Sequence, residues 1–174
     1  MKKTTQSRSD KRHGRVFVDT SGKKPVHSIG GKQYAFIVHD DATRMSREYF
    51  MKHKSDASEA LKQYLADTRD VGPPVIIRSD DEPELMYGWF SDIWKELGIK
   101  REFTSASTPQ LNGVAERGLT LIEKLAKASV FQAKVLFVGM ELPSMDRLWA
   151  EAHISLATDT SRARRRRGRR QDRR

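Results

Sequence analysis

The chain has 174 residues, no cysteine and a net charge of +10 at pH 7. The missing cysteines exclude disulfides, thiolate zinc sites and a cysteine nucleophile, and no segment approaches the roughly 18 apolar residues that cross a bilayer. The basic N-terminus also lacks the apolar stretch of a secretory signal, so we expect a soluble intracellular protein with no membrane partner.

Most of the positive charge lies at the two ends of the chain. Residues 161–174 contain nine arginines and one aspartate, and residues 1–15 contain six basic residues and one aspartate. Residues 16–160 therefore carry a net charge of −3. Basic ends of this kind favour a polyanion partner, usually a nucleic acid. For the arginine-rich end, a nuclear import signal and a translated junction without a function are equally open alternatives.

Three strands are predicted first. They are RVFVD at 15–19, YAFIVHD at 34–40 and RMSREYFM at 44–51. The Gly- and Pro-containing segment 21–32 is typical of a loop, and the short DDAT segment after the second strand suits a hairpin. We therefore expect these strands to form an antiparallel meander.

A helix and a buried strand follow. Residues 55–70 change to a helical period, with Ser55 or Asp56 available as the N-cap. The apolar residues on one face of this helix are Ala57, Ala60, Leu61, Tyr64 and Leu65. The segment 72–80 then combines a turn with a short buried strand that ends in an aspartate.

The remaining segments continue to alternate. We predict a helix over 84–98 that ends at Gly98. Its apolar residues spaced four apart are Leu85, Trp89, Ile93 and Leu97. A strand over 99–105, a helix over 112–129 and a helical stretch around 145–157 follow. The inward-facing residues of the helix over 112–129 are predicted to be Leu119, Ile122 and Ala126. The order β-β-β-α-β-α-β-α predicts an α/β fold with a five-stranded mixed sheet flanked by helices.

Three carboxylates fall at positions where a metal site is expected. Asp19 and Asp80 each end a predicted strand, and Glu116 lies near the start of the third helix. Catalytic residues of open α/β sheets gather beyond the carboxyl ends of strands, and converging carboxylates favour Mg²⁺ or Mn²⁺. A pair of such ions can assist phosphoryl transfer. The alternative is that Asp19 is a turn residue and Asp80 caps the helix that follows.

Two segments carry a resemblance to a known family. RSDDEPEL at 78–85 and STPQLNGVAERG at 107–118 resemble motifs of the integrase core of copia-like LTR retrotransposons and retroviruses. Asp80 and Glu116 are separated by 35 residues, as in that family. Two further segments, 30–57 and LWAEA at 148–152, are similar to stretches of the same proteins, so the resemblance covers roughly residues 15–152.

The resemblance implies a fold and a reaction. The fold would be RNase H-like, and Asp19, Asp80 and Glu116 would form a D,D-35-E triad that binds Mg²⁺ or Mn²⁺, as two ions. The activity would be integration of a retroelement into DNA, through 3′-end processing and strand transfer. The chain would then be a fragment of a pol polyprotein that works as a homo-oligomer, in the nucleus when it acts on chromosomal DNA.

The resemblance also implies DNA contacts around the third helix. The candidate residues are Gln110, Asn112, Arg117, Lys124 and Lys127. For both lysines a solvated cationic face is an equally open interpretation. Arg78, which precedes Asp80, is expected to pair with a neighbouring carboxylate instead of DNA.

Two departures from the family pattern keep other functions open. Asp81, Glu82 and Pro83 stand where the family has Asn-Gly-Gly, and Gly118 and Leu119 follow the Glu-Arg pair. Pro83 fixes a backbone torsion that glycine leaves free. One alternative is therefore a catalytically degenerate remnant that only binds nucleic acid. Another is a nuclease of the RNase H type, which the TPQLNGVAER segment disfavours.

The predicted domain organisation has four parts. Residues 1–14 form a basic flexible arm and residues 15–135 form the integrase catalytic core. Residues 136–160 form a helical C-terminal extension, and residues 161–174 form a disordered Arg-rich tail.

Overall fold

The protein folds around one five-stranded sheet. The computed structural model describes residues 8–80, 83–103, 124, 126–133, 135–136, 138 and 147–153. The strands are β1 (Val16–Thr20), β2 (Tyr34–Asp40), β3 (Ser46–Met51), β4 (Ile76–Ser79) and β5 (Lys100–Phe103). The helices are α1 (Ala57–Asp67), which a 3₁₀ turn at Lys54–Asp56 precedes, α2 (Pro83–Met86) and α3 (Trp89–Glu96). Most of the described residues over 124–136, and residues 149–153, are also helical.

The strand order across the sheet is β3-β2-β1-β4-β5. β1 pairs antiparallel with β2, and β2 pairs antiparallel with β3. β4 pairs parallel with β1, and β5 pairs parallel with β4. The meander and the parallel additions predicted from the element order are therefore confirmed, and the sheet is mixed.

The two faces of the sheet have different surroundings. Val16, Val18 and Ile77 belong to the main apolar core, which also contains buried side chains of α1 and α3. Since successive strand residues point to opposite faces, Phe17, Asp19 and Arg78 lie on the other face. The candidate site residues of β1 and β4 are therefore separated from the main core by the sheet itself.

The helix α1 buries the face that the sequence predicts. Ala57, Ala60, Leu61 and Tyr64 are buried, and Leu65 is partly buried against the same core. The helix begins two residues later than predicted, because a 3₁₀ turn precedes it. Asp56 stabilises that turn, since its carboxylate accepts the backbone N–H groups of Lys52 and His53 at 3.1 Å each.

The single helix predicted over 84–98 is wrong, because the structure has two helices there. Gly88 has a positive φ of 65°, which favours glycine and ends α2 before α3 begins. The break rotates the apolar face of the second helix. Leu85 is fully buried and Ile93 packs against the core, but Trp89 is 72% exposed and Leu97 is 42% exposed. The core positions are occupied by Phe90 and Trp94. Gly98 does follow the end of α3, as predicted, with a φ of 64°.

The segment before β1 is attached to the turn between β2 and β3. The backbone N–H of Ser9 donates to the carboxylate of Asp41 at 2.9 Å, and Arg15 donates to the same group at 2.5 Å. The backbone N–H of His13 donates to Asp40 at 2.9 Å. Residues 8–14, the described part of the predicted arm, are therefore tied to the sheet.

Residues 147–153 dock on the loop after β1 and on β3. Trp149 Nε1 donates to the carbonyl oxygen of Val26 at 2.9 Å, and His153 Nδ1 lies 2.7 Å from a carboxylate oxygen of Glu48. The ring of Phe50 contacts the rings of Trp149 and His153 edge-on. Within the part of the chain that the structure describes, no helix is long and apolar enough to cross a membrane.

The two tryptophans of α3 offer a matched test of this packing. We expect Trp94→Ala to lower the free energy of unfolding by about 3–5 kcal/mol, because Trp94 is buried and leaves a cavity. Trp89→Ala removes an exposed ring that Lys62 approaches at 5.0 Å from its centroid, and should cost about 1 kcal/mol or less. Urea denaturation followed by circular dichroism measures both. Equal losses would contradict the assigned helix faces.

The Asp41 carboxyl gives a pH-dependent prediction. Burial raises the pKa of Asp41, but the N–H of Ser9 and the guanidinium groups of Arg15 and Arg44 outweigh burial and hold it below its ordinary 3.8. A lowered pKa in the folded state stabilises the fold above that ordinary value, and this contribution is lost as the pH falls further. Asp41→Asn should therefore lower the unfolding free energy at about pH 6 and reduce its dependence on pH below about 4. Asp70→Asn, at a carboxylate that is 71% exposed, is the control and should change neither the unfolding free energy nor its pH dependence. If the unfolding free energy of Asp41→Asn fell with decreasing pH below about 4 as steeply as that of the wild type, the assignment would be wrong.

Candidate metal and nucleic-acid site

The pairing of β1 with β4 brings two of the predicted carboxylates to one level of the sheet. Val16 pairs with Ile77 and Phe17 pairs with Arg78 in this parallel ladder. The same register, continued two residues beyond the last printed pair, would set Asp19 level with Asp80, which directly follows β4. Neighbouring strands lie about 4.8 Å apart, so we expect the two carboxylates to be neighbours at the carboxyl edge of the sheet.

Both carboxylates lie at the rim of the protein and not in its core. Asp19 and Asp80 are partly exposed, although Ser79, directly before Asp80, is buried. One carboxylate oxygen of Asp19 accepts the backbone N–H of Thr20 at 2.8 Å. That hydrogen bond contributes to the orientation of the Asp19 side chain.

Five residues that are register partners of one another form a row across all five strands. On β1 and β4 this row lies two residues before Asp19 and Asp80, on the same face of the sheet. From one edge of the sheet to the other, its members are Ser46, His39, Phe17, Arg78 and Glu102. Each member contacts the next. Ser46 Oγ lies 2.9 Å from His39 Nδ1, the rings of His39 and Phe17 are 6.3 Å apart, and the Arg78 guanidinium lies 5.7 Å from the Phe17 centroid.

The last contact of the row is an ion pair. Arg78 Nε donates to a carboxylate oxygen of Glu102 at 2.9 Å, and Arg78 is only 4% exposed. The predicted pairing of Arg78 with a neighbouring carboxylate is therefore confirmed, and Glu102 is the partner. This contact joins β4 to β5 directly below Asp80.

The described donors have the chemistry that a hard divalent cation requires. Carboxylate oxygens are the preferred protein ligands of Mg²⁺ and Mn²⁺, and Asp19 and Asp80 both lie where β1 and β4 end. No group of three His, Asp or Glu residues that could hold a metal occurs among the described residues. The third predicted ligand, Glu116, lies outside those residues, so the complete triad stays a prediction.

Of the predicted DNA-contact residues, some lie outside the described residues and others lie within them. Gln110, Asn112 and Arg117 lie outside the described residues. Lys124 and Lys127 are described, and both are exposed on a helical segment whose intervening Ala126 is buried. The inward orientation predicted for Ala126 is confirmed, whereas Leu119 and Ile122 lie outside the described residues.

Comparison of the sequence with known proteins finds a relative among retrotransposon polyproteins. The chain is 34% identical over 113 residues to the retrovirus-related Pol polyprotein of transposon TNT 1-94 from Nicotiana tabacum. The match covers 63% of this chain and 8% of the polyprotein, so the chain spans a small part of that relative's length. No family model matches the chain.

Solved structures with similar coordinates identify the fold. The catalytic core of HTLV-2 integrase, in complex with magnesium, is similar with a TM-score of 0.57 over 81% of this chain and 82% of that one, at 16% identity. The catalytic core of BIV integrase is similar with a TM-score of 0.54 over 83% of each chain, at 14% identity. The fold is that of an integrase catalytic core. The predicted resemblance to this RNase H-like group is thereby confirmed.

A larger assembly contains the same type of core. A simian T-cell lymphotropic virus intasome in complex with a PP2A regulatory subunit matches with a TM-score of 0.61 and 16% identity, over 84% of this chain and 49% of that one. At this level of identity the structural matches establish the integrase-core fold. They leave the activity of this chain to be argued from its own residues.

Sequence reasoning missed the row beneath the carboxylates and any role for Lys23, Lys24 and Lys32, which lie in the connection between β1 and β2. The row depends on register, which a single strand sequence does not encode. The lysines after β1 occur in a segment whose composition predicts only a loop. The absence of any acidic residue from 21–33 was the one available signal.

The ion pair below Asp80 leads to a stability prediction for this fold. Glu102→Gln should lower the free energy of unfolding by about 1–3 kcal/mol, because it leaves the buried Arg78 guanidinium without its carboxylate. Glu102 is 37% exposed, so water screens part of the loss. Glu96→Gln, at an exposed position of α3, is the matched control. Indistinguishable urea midpoints for the two variants would show that the pair does not stabilise β4 against β5.

Proposed function

We propose that this chain is the catalytic core of a retroelement integrase, a polynucleotidyl transferase that depends on a divalent metal. The observation that carries the proposal is the parallel pairing of β1 with β4 in an integrase-type sheet, because its register, continued to the carboxyl edge, would set Asp19 level with Asp80. The similarity to a retrotransposon Pol polyprotein supports an origin in such an element.

The proposed metal ligands are Asp19, Asp80 and Glu116. Magnesium or manganese ions held there, two in number, would supply Lewis-acid stabilisation of charge on the phosphodiester oxygens. The protein's own contribution is to hold mutually repelling carboxylates together. The row of side chains two residues before Asp19 and Asp80 would hold these carboxylates in place, because its members contact one another across all five strands.

The proposed reaction has two phosphoryl transfers at one site. In the first, water attacks a phosphodiester near the end of the element, and the P–O3′ bond breaks to leave a 3′-hydroxyl. In the second, that hydroxyl attacks a phosphodiester of target DNA and displaces the target's own 3′-oxygen. Both steps are in-line displacements that conserve the number of P–O bonds at phosphorus.

The proposed DNA contacts and assembly follow from the same assignment. Gln110 and Asn112 would approach the DNA near the scissile bond, and Arg117, Lys124 and Lys127 would contact backbone phosphates. Joining two element ends requires at least a dimer, so a homo-oligomer is part of the proposal. Action on chromosomal DNA would place the protein in the nucleus.

A second candidate is a catalytically degenerate remnant that only binds nucleic acid. It is favoured by Asp81, Glu82 and Pro83, which add charge and a fixed torsion beside Asp80. One structural observation weakens it. Pro83 is the first residue of α2, a position where proline fits because that N–H lacks a helical partner anyway. The proline therefore agrees with the local backbone of α2.

Disintegration of a branched DNA substrate, the reversal of strand transfer, tests the proposal. Wild-type protein should join the strands in Mn²⁺ or Mg²⁺, and Asp80→Asn or Glu116→Gln should reduce joining by about a hundredfold or more, because each removes a charged metal ligand. Asp70→Asn, the same substitution at an exposed carboxylate near the opposite edge, should keep full activity. Folded wild-type protein that binds DNA but joins nothing would favour the remnant.

A further inference from the structure

The strand directions place two connections beside the carboxylates. β1 runs toward Asp19 and ends at Thr20, β2 returns from Tyr34, and β3 ends at Met51. The connection 21–33 and the residues directly after β3 therefore lie at the same edge of the sheet as Asp19 and Asp80. Neither connection belongs to the three-carboxylate site or to the DNA contacts proposed above.

Both connections are rich in lysine. Residues 21–33 contain three lysines and one histidine and no acidic residue, and residues 52–54 read Lys-His-Lys. We call the five lysines of these connections the basic rim: Lys23, Lys24, Lys32, Lys52 and Lys54. The two connections meet, because the Cε atom of Lys52 lies 3.9 Å from where a Cβ on Gly31 would be. This concentration of charge occurs within residues 16–160, whose net charge is −3.

Hydrogen bonds hold the longer connection in one shape. The N–H of Ser21 donates to the carbonyl of Ala35, and the N–H of Lys24 donates to the carbonyl of Gln33, both at 2.8 Å. These bonds extend the hairpin of β1 and β2 beyond the sheet. At its tip the buried Ser28 accepts the N–H of Lys32 on its hydroxyl at 3.0 Å.

Residues 147–153 brace the extended hairpin from outside. The N–H of Ile29 donates to the carbonyl of Arg147 at 3.0 Å, and Trp149 donates to the carbonyl of Val26. A charged loop fixed in this way loses little conformational freedom when it binds a partner. The exposed Arg147 side chain adds one more cation at this place.

Three arginines near the opposite edge already have carboxylate neighbours. Arg15 and Arg44 pair with Asp41, and Arg12 approaches Asp70. Lys23, Lys32 and Lys52 form no ion pair within the described part of the chain. Lys23 and Lys52 are exposed. The charges of Lys23, Lys32 and Lys52 are therefore available to a polyanion.

We propose that the basic rim binds the backbone phosphates of duplex DNA and seats it across the edge that carries Asp19 and Asp80. The inference rests on the proposed function for its choice of DNA as the polyanion. A duplex presents phosphates on both sides of the reacting one. The hairpin and the segment after β3 would take those on the β2–β3 side of the carboxylates, and contacts of this kind position DNA without reading its sequence.

Matched double variants of the full chain test the proposal. Lys23→Gln with Lys52→Gln removes two rim charges. Lys95→Gln with Lys100→Gln removes two exposed charges near the start of β5, at the opposite edge. Both variants keep the Arg-rich tail, so its DNA affinity is the same in each. Binding to a fluorescein-labelled duplex is followed by anisotropy in EDTA, between about 50 and 200 mM salt.

The rim variant should bind about tenfold more weakly or worse at about 0.1 M salt, with a log–log salt slope shallower by about 1.8, since two phosphate contacts are lost. The opposite-edge variant should stay within about twofold of wild type, and Lys23→Arg with Lys52→Arg should retain binding. Equal weakening by both Gln variants would overturn the proposal, because only net charge would then matter. Because binding is measured without metal, loss in the rim variant alone supports the rim even if disintegration by wild type fails. Disintegration by wild type with unchanged binding by the rim variant would overturn the rim and leave the proposed function standing.

Discussion

The parallel pairing of β1 with β4 is the constraint on which the rest of this structure depends. β1 is the central strand, and its antiparallel partner β2 follows it directly in the sequence. A parallel partner cannot follow directly, since the chain must first return to the other end of the sheet. The helix α1 makes that return and buries Leu61 and Tyr64 against the sheet. The apolar face of α1 therefore fixes where β4 enters, and the entry of β4 fixes which residue stands beside Asp19.

Charged side chains are arranged differently at the edge of the sheet where β1 begins and at the edge where β1 ends. At the amino-terminal edge of β1, arginines and aspartates neutralise one another and attach residues 8–15 to the β2–β3 turn. At the carboxyl edge, the connections after β1 and β3 carry lysines, and the ends of β1 and β4 carry Asp19 and Asp80. The backbone keeps them apart here, because the lysines are on ordered connections and the carboxylates are on adjacent strands.

Much of this arrangement could be predicted from the sequence, and the failures have physical causes. The strands and α1 have clear periods, and the resemblance to integrase cores rests on segments at the strand and helix ends. The helix over 84–98 was mispredicted because a spacing of four is satisfied by Trp89 as well as by Phe90 and Trp94. Only the positive φ at Gly88 decides between them. The row from Ser46 to Glu102 could not be predicted, because it depends on four strand registers at once.

Residues 147–153 connect the β1–β2 hairpin to β3. Arg147 and Trp149 contact the β1–β2 hairpin across more than a hundred residues of sequence, while His153 contacts Glu48 of β3. Glu48 is the register partner of Ile37, which pairs with Asp19. The segment therefore touches the sheet on β3, two strands away from Asp19, and it also touches the connection that carries Lys23, Lys24 and Lys32. Since both contacts are made by one short segment, the position of this connection relative to β3 is fixed by its packing against residues 147–153. A segment more than a hundred residues away in sequence therefore helps to hold the lysine-bearing connection at the edge of the sheet where β1 ends.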